Sequence, residues 1–301
     1  MKSLHYRRWI ALPVIVGLVL CAYAWAIATP VVGEPRSLPA PVGEKLWSFG
    51  FVGDTQLGEG IVEDVFGHFE SEEVEFVLHL GDIVDDAASD EQWDEVLSAA
   101  RRHKLWLRPV VGNHDRLLGT SDRGETRFRE FFPELSDTCY RFEHRGLIFV
   151  MLNSERSLLP GTPQSRFLTN ELAGLTDTSI VCLHRPVFTC GHRDLANQFL
   201  RRVWLHSRLV DTPVRLVLAG HHHYYDRTRP LDGITYVVSG GGSRKLYAAE
   251  APDRSTAAFR AGVNHYGLVD VYADRLDVRV LAVDGEEIDR FPIERERSQD
   301  E

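Results

Sequence analysis

A chain of 301 residues with 44% hydrophobic and 26% charged side chains has the composition of a globular protein and ample length to bury a core. That composition excludes collagen-like, disordered and disulfide-dense classes. Lys and Arg total 34 against 44 Asp and Glu, a net charge of −10; an acidic body lacks the basic face that displaces counterions, so no nucleic-acid binding surface is expected.

In chain order, the first element is an uncharged run over residues 9–28, which at about 1.5 Å per residue spans roughly 30 Å, the hydrocarbon thickness of a bilayer. Lys2, Arg7 and Arg8 precede it, which places the N-terminus in the cytoplasm and the rest of the chain outside. The run is longer than a usual signal-peptide core, favouring an uncleaved signal anchor. Alanines at 22, 24, 26 and 28 offer cleavage sites, so a signal peptide is the other reading. Residues 1–28 are thus a signal anchor or signal peptide. The membrane is a partner through residues 9–28, and the protein is expected to be exported: anchored with its domain on the extracytoplasmic side, or secreted or periplasmic after cleavage. Residues 29–44, with Pro30, Pro35, Pro39 and Pro41, read as an extended linker.

Residues 45–293 show no internal repeat and no break in composition, and are expected to form one α/β domain around a central sheet or sandwich; 294–301 read as a charged tail. Short apolar runs at 46–53, 74–80, 105–111, 146–152, 179–183 and 214–219 predict buried strands. Ser89 with Gln92 makes a capping box for a helix ending near His103, and Thr162-Pro163 opens a helix ending near Gly174. Residues 195–210 are a third candidate helix. Beyond them, 234–239, 266–272 and 276–283 predict antiparallel strands separated by turns. Cys139, Cys182 and Cys190 match no zinc motif and read as buried or incidental thiols, although an oxidising compartment would permit one disulfide.

The residues at the end of each apolar run are more informative than the run itself. The first run ends in Gly53-Asp54-Thr55-Gln56, the second in Gly81-Asp82-Ile83-Val84-Asp85, and the third in Gly112-Asn113-His114-Asp115. The run at 179–183 ends in His184-Arg185, and that at 214–219 in Gly220-His221-His222-His223. In open α/β sheets the carboxyl ends of the strands converge on one edge, where sites form. One acidic turn or one His-rich loop would mean little. Five in order bring carboxylates, imidazoles and an amide oxygen to one place, and that donor set suits Mn, Fe or Zn.

In this order the motifs resemble those of the calcineurin-like metallophosphoesterases, over roughly residues 46–240. The resemblance implies a β-sandwich flanked by helices with two divalent or mixed-valence metal ions at the strand ends. It implies that Asp82 bridges the metals, that Asp54 and His223 bind one, and that Asn113, His184 and His221 bind the other. By the same likeness His114 is the general acid near the leaving group, oriented by Asp85. Two metals about 3.5–4 Å apart can share a hydroxide in line with phosphorus and neutralise charge on the phosphoryl oxygens.

The pattern departs from the family in the first motif, where Asp-x-His becomes Asp54-Thr55-Gln56. Gln56 can coordinate through its amide oxygen, leave a position open, or weaken that metal. Protein Ser/Thr phosphatases of the superfamily carry an Arg where Asp86 stands, and purple acid phosphatases a Tyr where Asp85 stands, which leaves the generic branch. Arg116, Arg185, His192 and His222 are candidate phosphate contacts or plain surface residues. Gly240-Gly241-Gly242-Ser243 reads as a flexible loop, and Tyr224 and Tyr225 as packing residues. The function expected is hydrolysis of a small phosphoester by an exported enzyme. The alternative is a non-catalytic metal- or phosphate-binding protein on the same fold.

Overall fold

Each of the six apolar runs carries a strand, and the reason is visible in how their side chains divide. In β5 (Leu147–Met151), Leu147, Phe149 and Met151 enter one core while Ile148 and Val150 enter another. Ile180 and Cys182 part in the same way from Val181 and Leu183 in β6 (Ser179–Leu183). Successive side chains of a strand point to opposite faces, so a strand covered on both sides must be apolar throughout.

The computed structural model describes residues 41, 43–58, 60–117, 124–189, 200–247, 260–261 and 263–295. The expectations for residues 9–28, for nearly all of the Pro-rich stretch and for Cys190 and His192 lie outside them. Among the described residues no helix is long and apolar enough to cross a membrane.

Two sheets face each other. The first holds β1 (Trp47–Val52), β2 (Val77–His79), β3 (Leu107–Pro109), β11 (His265–Val271), β12 (Arg275–Ala282) and β13 (Glu287–Glu294), in the order β13-β12-β11-β1-β2-β3. The second adds β4 (Tyr140–His144), β7 (Val214–Ala219), β8 (Tyr224–Arg227), β9 (Thr235–Ser239) and β10 (Arg260–Ala261), in the order β10-β8-β9-β7-β6-β5-β4. Strands β1-β2-β3 are parallel, as are β5-β6-β7-β9. Phe49, Phe76 and Phe149 join the leaves, with ring centroids 5.4 Å apart in each pair. The helices are α1 (Ile61–Ser71), α2 (Asp90–Arg102), α3 (Glu125–Phe131) and α4 (Pro163–Ala173). Trp93 of α2 is fully buried, and Leu168 of α4 packs in the second core.

Two expectations need correction. Ser89 caps α2 by accepting from the Gln92 N–H at 3.3 Å, but the Gln92 side chain does not return to Ser89. Its Oε1 accepts instead from the N–H groups of Asp85 (2.8 Å) and Asp86 (3.0 Å), tying the helix to the loop after β2. Residues 234–239 are not simply antiparallel: β9 lies parallel to β7 and antiparallel only to β8, being inserted between them. The expected helix at 195–210 is present over its described part: residues 200–209 are helical, with a π-helical turn at Arg202–His206 followed by Ser207–Leu209. Cys139 and Cys182 are both free and buried, and burial pushes the Cys139 thiol up to about 11.

His265, fully buried in β11, donates from Nδ1 to the Val263 carbonyl at 3.0 Å, while Nε2 has no partner. Burial drives its pKa down from 6.5 to about 4, so the fold holds it neutral. Below pH 6.5 the unfolded chain binds a proton there that the folded chain refuses, and stability is lost as pH falls towards about 4. At about 1.4 kcal/mol per pKa unit the loss is on the order of 2–4 kcal/mol. Urea unfolding at pH 7 and pH 4.5 would show it, and His265→Gln should lose that part of the pH dependence.

Candidate metal centre

The parallel strands of each sheet deliver their carboxyl ends to one edge of the sandwich. Asp54 follows β1, Asp82 follows β2, Asn113 and His114 follow β3, His184 follows β6, and His221 and His223 follow β7. Three of these residues take left-handed backbone: Asp54 (φ 60°), Asp82 (φ 52°) and His221 (φ 69°). Such conformations are sterically costly outside glycine and persist where the surroundings impose them. Gly112 makes the close approach possible, since a Cβ there would sit 2.1 Å from the Asp82 nitrogen.

A dense set of main-chain bonds imposes the geometry. Asp115 accepts from Asp82 and Gly112 N–H at 2.8 Å each through Oδ2, and from Ile83 (2.7 Å) and Val84 (3.2 Å) through Oδ1. His114 N–H donates to Asp82 Oδ1, and His221 N–H to Asp54 Oδ2, both at 2.8 Å. These bonds leave Asp82 Oδ2 and Asp54 Oδ1 facing the imidazoles.

Two donor clusters result, sharing Asp82. In one, Gln56 Nε2 lies 3.3 Å from Asp82 Oδ2 and 3.5 Å from His223 Nε2, which is itself 3.3 Å from Asp54 Oδ1. In the other, His184 Nε2 lies 3.2 Å from each of Asp82 Oδ2, Asn113 Oδ1 and His221 Nδ1. Backbone carbonyls fix two tautomers: His184 Nδ1 donates to Leu80 O at 2.8 Å, and His223 Nδ1 to Lys245 O. Both rings therefore turn Nε2 inward, the usual outer-sphere arrangement for ligating histidines.

The electrostatics favour a cation. Burial opposes a charged His184, yet Asp82, Asp54 and Glu155 together carry its pKa up to about 10. Burial likewise opposes ionised Asp82, but His184 beside it holds the carboxyl at about 2. The field that draws a proton onto His184 is one a metal ion would satisfy. The buried oxygens Asp54 Oδ1 and Gln56 Oε1 make no hydrogen bond, an arrangement that is unfavourable unless something else completes it. The two ends of the Gln56 amide interchange by rotation about one bond, so its oxygen can take the inward position. Carboxylate, amide and imidazole donors in these two clusters fit a pair of Mn, Fe or Zn ions.

The remaining expected residues divide. His114 stands at the rim with its side chain 40% exposed, and its Nδ1 meets the Asp85 carbonyl oxygen at 2.9 Å. The Asp85 carboxylate is farther, at 3.4 Å, so orientation comes from the main chain more than from the acid. His222 is buried, with Nδ1 2.7 Å from Tyr224 Oη. The Gly240–Gly242 loop is buried and close-packed: Gly242 N–H donates to Gly53 O at 3.0 Å, and a Cβ on Gly240 would lie 2.8 Å from Asp54 Oδ2. Its glycines serve close approach and not looseness.

Two residues of the site have no role in the sequence reading: Asp115 stands there only as the end of a motif, and Glu155 is absent from it. Glu155 grips Arg185 twice (Nε–Oε1 2.5 Å, Nη2–Oε2 3.2 Å) and Arg116 once (3.3 Å). Arg185 in turn reaches His221 Nε2 with Nη1 (3.0 Å) and Asn113 Oδ1 with Nη2 (3.2 Å). Metal ligation through His221 Nδ1 would move the ring proton to Nε2, which obliges the Arg185 contact to open. Asn153-Ser154-Glu155 follows β5, so the rule that found the other strand ends could have found Glu155.

Comparisons with known proteins bear on the family and the fold. Residues 48–225 match the family model of the calcineurin-like phosphoesterases. A phosphoenolpyruvate phosphatase of Allium cepa is 24% identical over 254 residues, covering 76% of this chain and 51% of that protein. An Fe(3+)-Zn(2+) purple acid phosphatase of Arabidopsis thaliana is 24% identical over 232 residues, covering 68% and 48%. The chain spans about half the length of the curated relatives it matches. The fold superposes on a purple acid phosphatase from yellow lupin seeds (Lupinus luteus) with a TM-score of 0.70 at 20% identity, over 85% of this chain and 55% of that one. The chain belongs to the calcineurin-like phosphoesterase family.

Proposed function

We propose that this protein hydrolyses a small phosphoester at a centre for two metal ions. The observation that carries the reading is Asp82 Oδ2, which lies 3.2 Å from His184 Nε2 and 3.3 Å from the Gln56 amide and so belongs to both donor clusters. Asp54, Gln56, Asp82 and His223 would hold one ion, and Asp82, Asn113, His184 and His221 the other. The chemistry supplied by bound cations is activation of water and neutralisation of phosphoryl charge.

The chain's own groups do the rest. Asp115 fixes the two loops that present Asp82 and Asn113. The Leu80 and Lys245 carbonyls hold the rings of His184 and His223 with Nε2 inward. His114, anchored at Nδ1 by the Asp85 carbonyl, offers its other ring nitrogen to donate a proton to the departing oxygen. We further read the protein as exported and tethered through residues 9–28; the support is the uncharged run behind Lys2, Arg7 and Arg8. A second reading, a non-catalytic protein on this fold, is favoured by Gln56 alone.

Nitrophenol release from an aryl phosphomonoester and the matching diester, with Mn, Fe or Zn, tests the proposal. Turnover should fall by at least about 100-fold in Asp82→Asn. A folded, metal-loaded protein with no turnover, in which Gln56→His creates activity, would establish the second reading. Asp115→Asn turns an amide NH₂ towards N–H donors, and metal affinity measured by competition with a chelator should fall about 10–100-fold.

A further inference from the structure

We propose that a cavity beside Arg185 receives the leaving group of the phosphoester, and that this group is aromatic; the inference rests on the hydrolase reading above. The cavity encloses about 390 Å³ between residues 154–159 and residues 200–204. That volume is within the range of small-molecule sites, about 300–1,000 Å³.

Its walls set it apart from the rest of the surface. Six large hydrophobic side chains are exposed among the described residues, and three of them, Leu159, Leu200 and Trp204, line this cavity. Single exposed apolar side chains are ordinary, whereas several converging on one concavity mark a place where something binds. Trp204 stands in the π-helical turn Arg202–His206, a rare form of helix that recurs at functional sites. The turn is anchored to the segment just after His184: Arg201 Nε donates to Pro186 O at 2.9 Å and Arg202 Nε to Val187 O at 3.1 Å. The turn that carries Trp204 is therefore tied to the segment that follows His184.

Arg185 joins the two spaces. It lines the cavity, and its guanidinium touches His221 and Asn113 of the second donor cluster while Glu155 grips it from behind. A phosphoester with phosphorus at the centre has Arg185 as its neighbour, and its leaving group has the cavity to enter. A polyol or short alkyl group would leave the indole and the two leucines wet. A flat aromatic group covers the indole face and removes the leucines from water.

Calorimetry on the full chain, loaded with whichever of Mn, Fe or Zn it retains, tests this without turnover. Phenylalkylphosphonates with one to three methylenes between ring and phosphorus would be titrated against methylphosphonate, into the protein and its Trp204→Ala and Leu159→Ala variants. At least one aryl phosphonate should bind about tenfold or more tighter than methylphosphonate, and the ratio should fall below about threefold in Trp204→Ala. Equal binding of every phosphonate overturns the subsite and leaves the hydrolase reading standing, as does a ratio unchanged in both variants. Failure of all phosphonates to bind the metal-loaded protein overturns the hydrolase reading, and the subsite with it.

Discussion

Four main-chain N–H groups, from Asp82, Ile83, Val84 and Gly112, converge on the carboxylate of Asp115. Strands β2 and β3 have three residues each, so their own ladder is too short to fix the loops that follow them. The carboxylate supplies the constraint that the ladder cannot. Burial and the charge of Asp82 push its pKa up to about 7, while the N–H donors act in the other direction. Hydrogen bonds to a charged partner contribute about 1.5–3 kcal/mol each, enough in number to hold an acid in a closed interior. Without this tie Asp82 and Asn113 would have no common frame.

The same economy of fixed backbone runs across the edge. Asp54, Asp82 and His221 are all held in left-handed conformations that their side chains disfavour. Each is cross-linked to a neighbouring loop: Asp54 N–H to Gly81 O, His114 N–H to the Asp82 carboxylate, His221 N–H to the Asp54 carboxylate. Residues that would hold metals thus also bond one another's backbones. Strain at these positions is the local counterpart of a rigid arrangement of donors, set before any ligand arrives.

Much of this was legible in the sequence, for a physical reason. A strand buried on both faces is an unbroken apolar run, and its carboxyl end is marked by the first polar residue after it, which follows a glycine in all but the runs at 146–152 and 179–183. That signal located Asp54, Asp82, Asn113, His184 and His221. It failed where a side chain's direction matters more than its position. His222 sits between two donors in sequence but points into the core, towards Tyr224. Gln92 has the spacing of a capping box, yet its amide serves Asp85 and Asp86. Strands β4, β8 and β13 each carry charged residues among their apolar ones, which obscured them. Glu155 lay within reach of the strand-end rule, but its partners, Arg116 and Arg185, are distant from it in the chain.

Each donor cluster draws on both leaves of the sandwich. Asp54, Gln56, Asp82 and Asn113 belong to loops of the first sheet, and His184, His221 and His223 to loops of the second. Any sliding of one sheet over the other would stretch both clusters at once, because Asp82 is common to them. The carboxyl edge is accordingly a part of the sandwich that resists shear. A cation seated there would act as a rivet between the leaves, making its binding part of the cohesion of the fold.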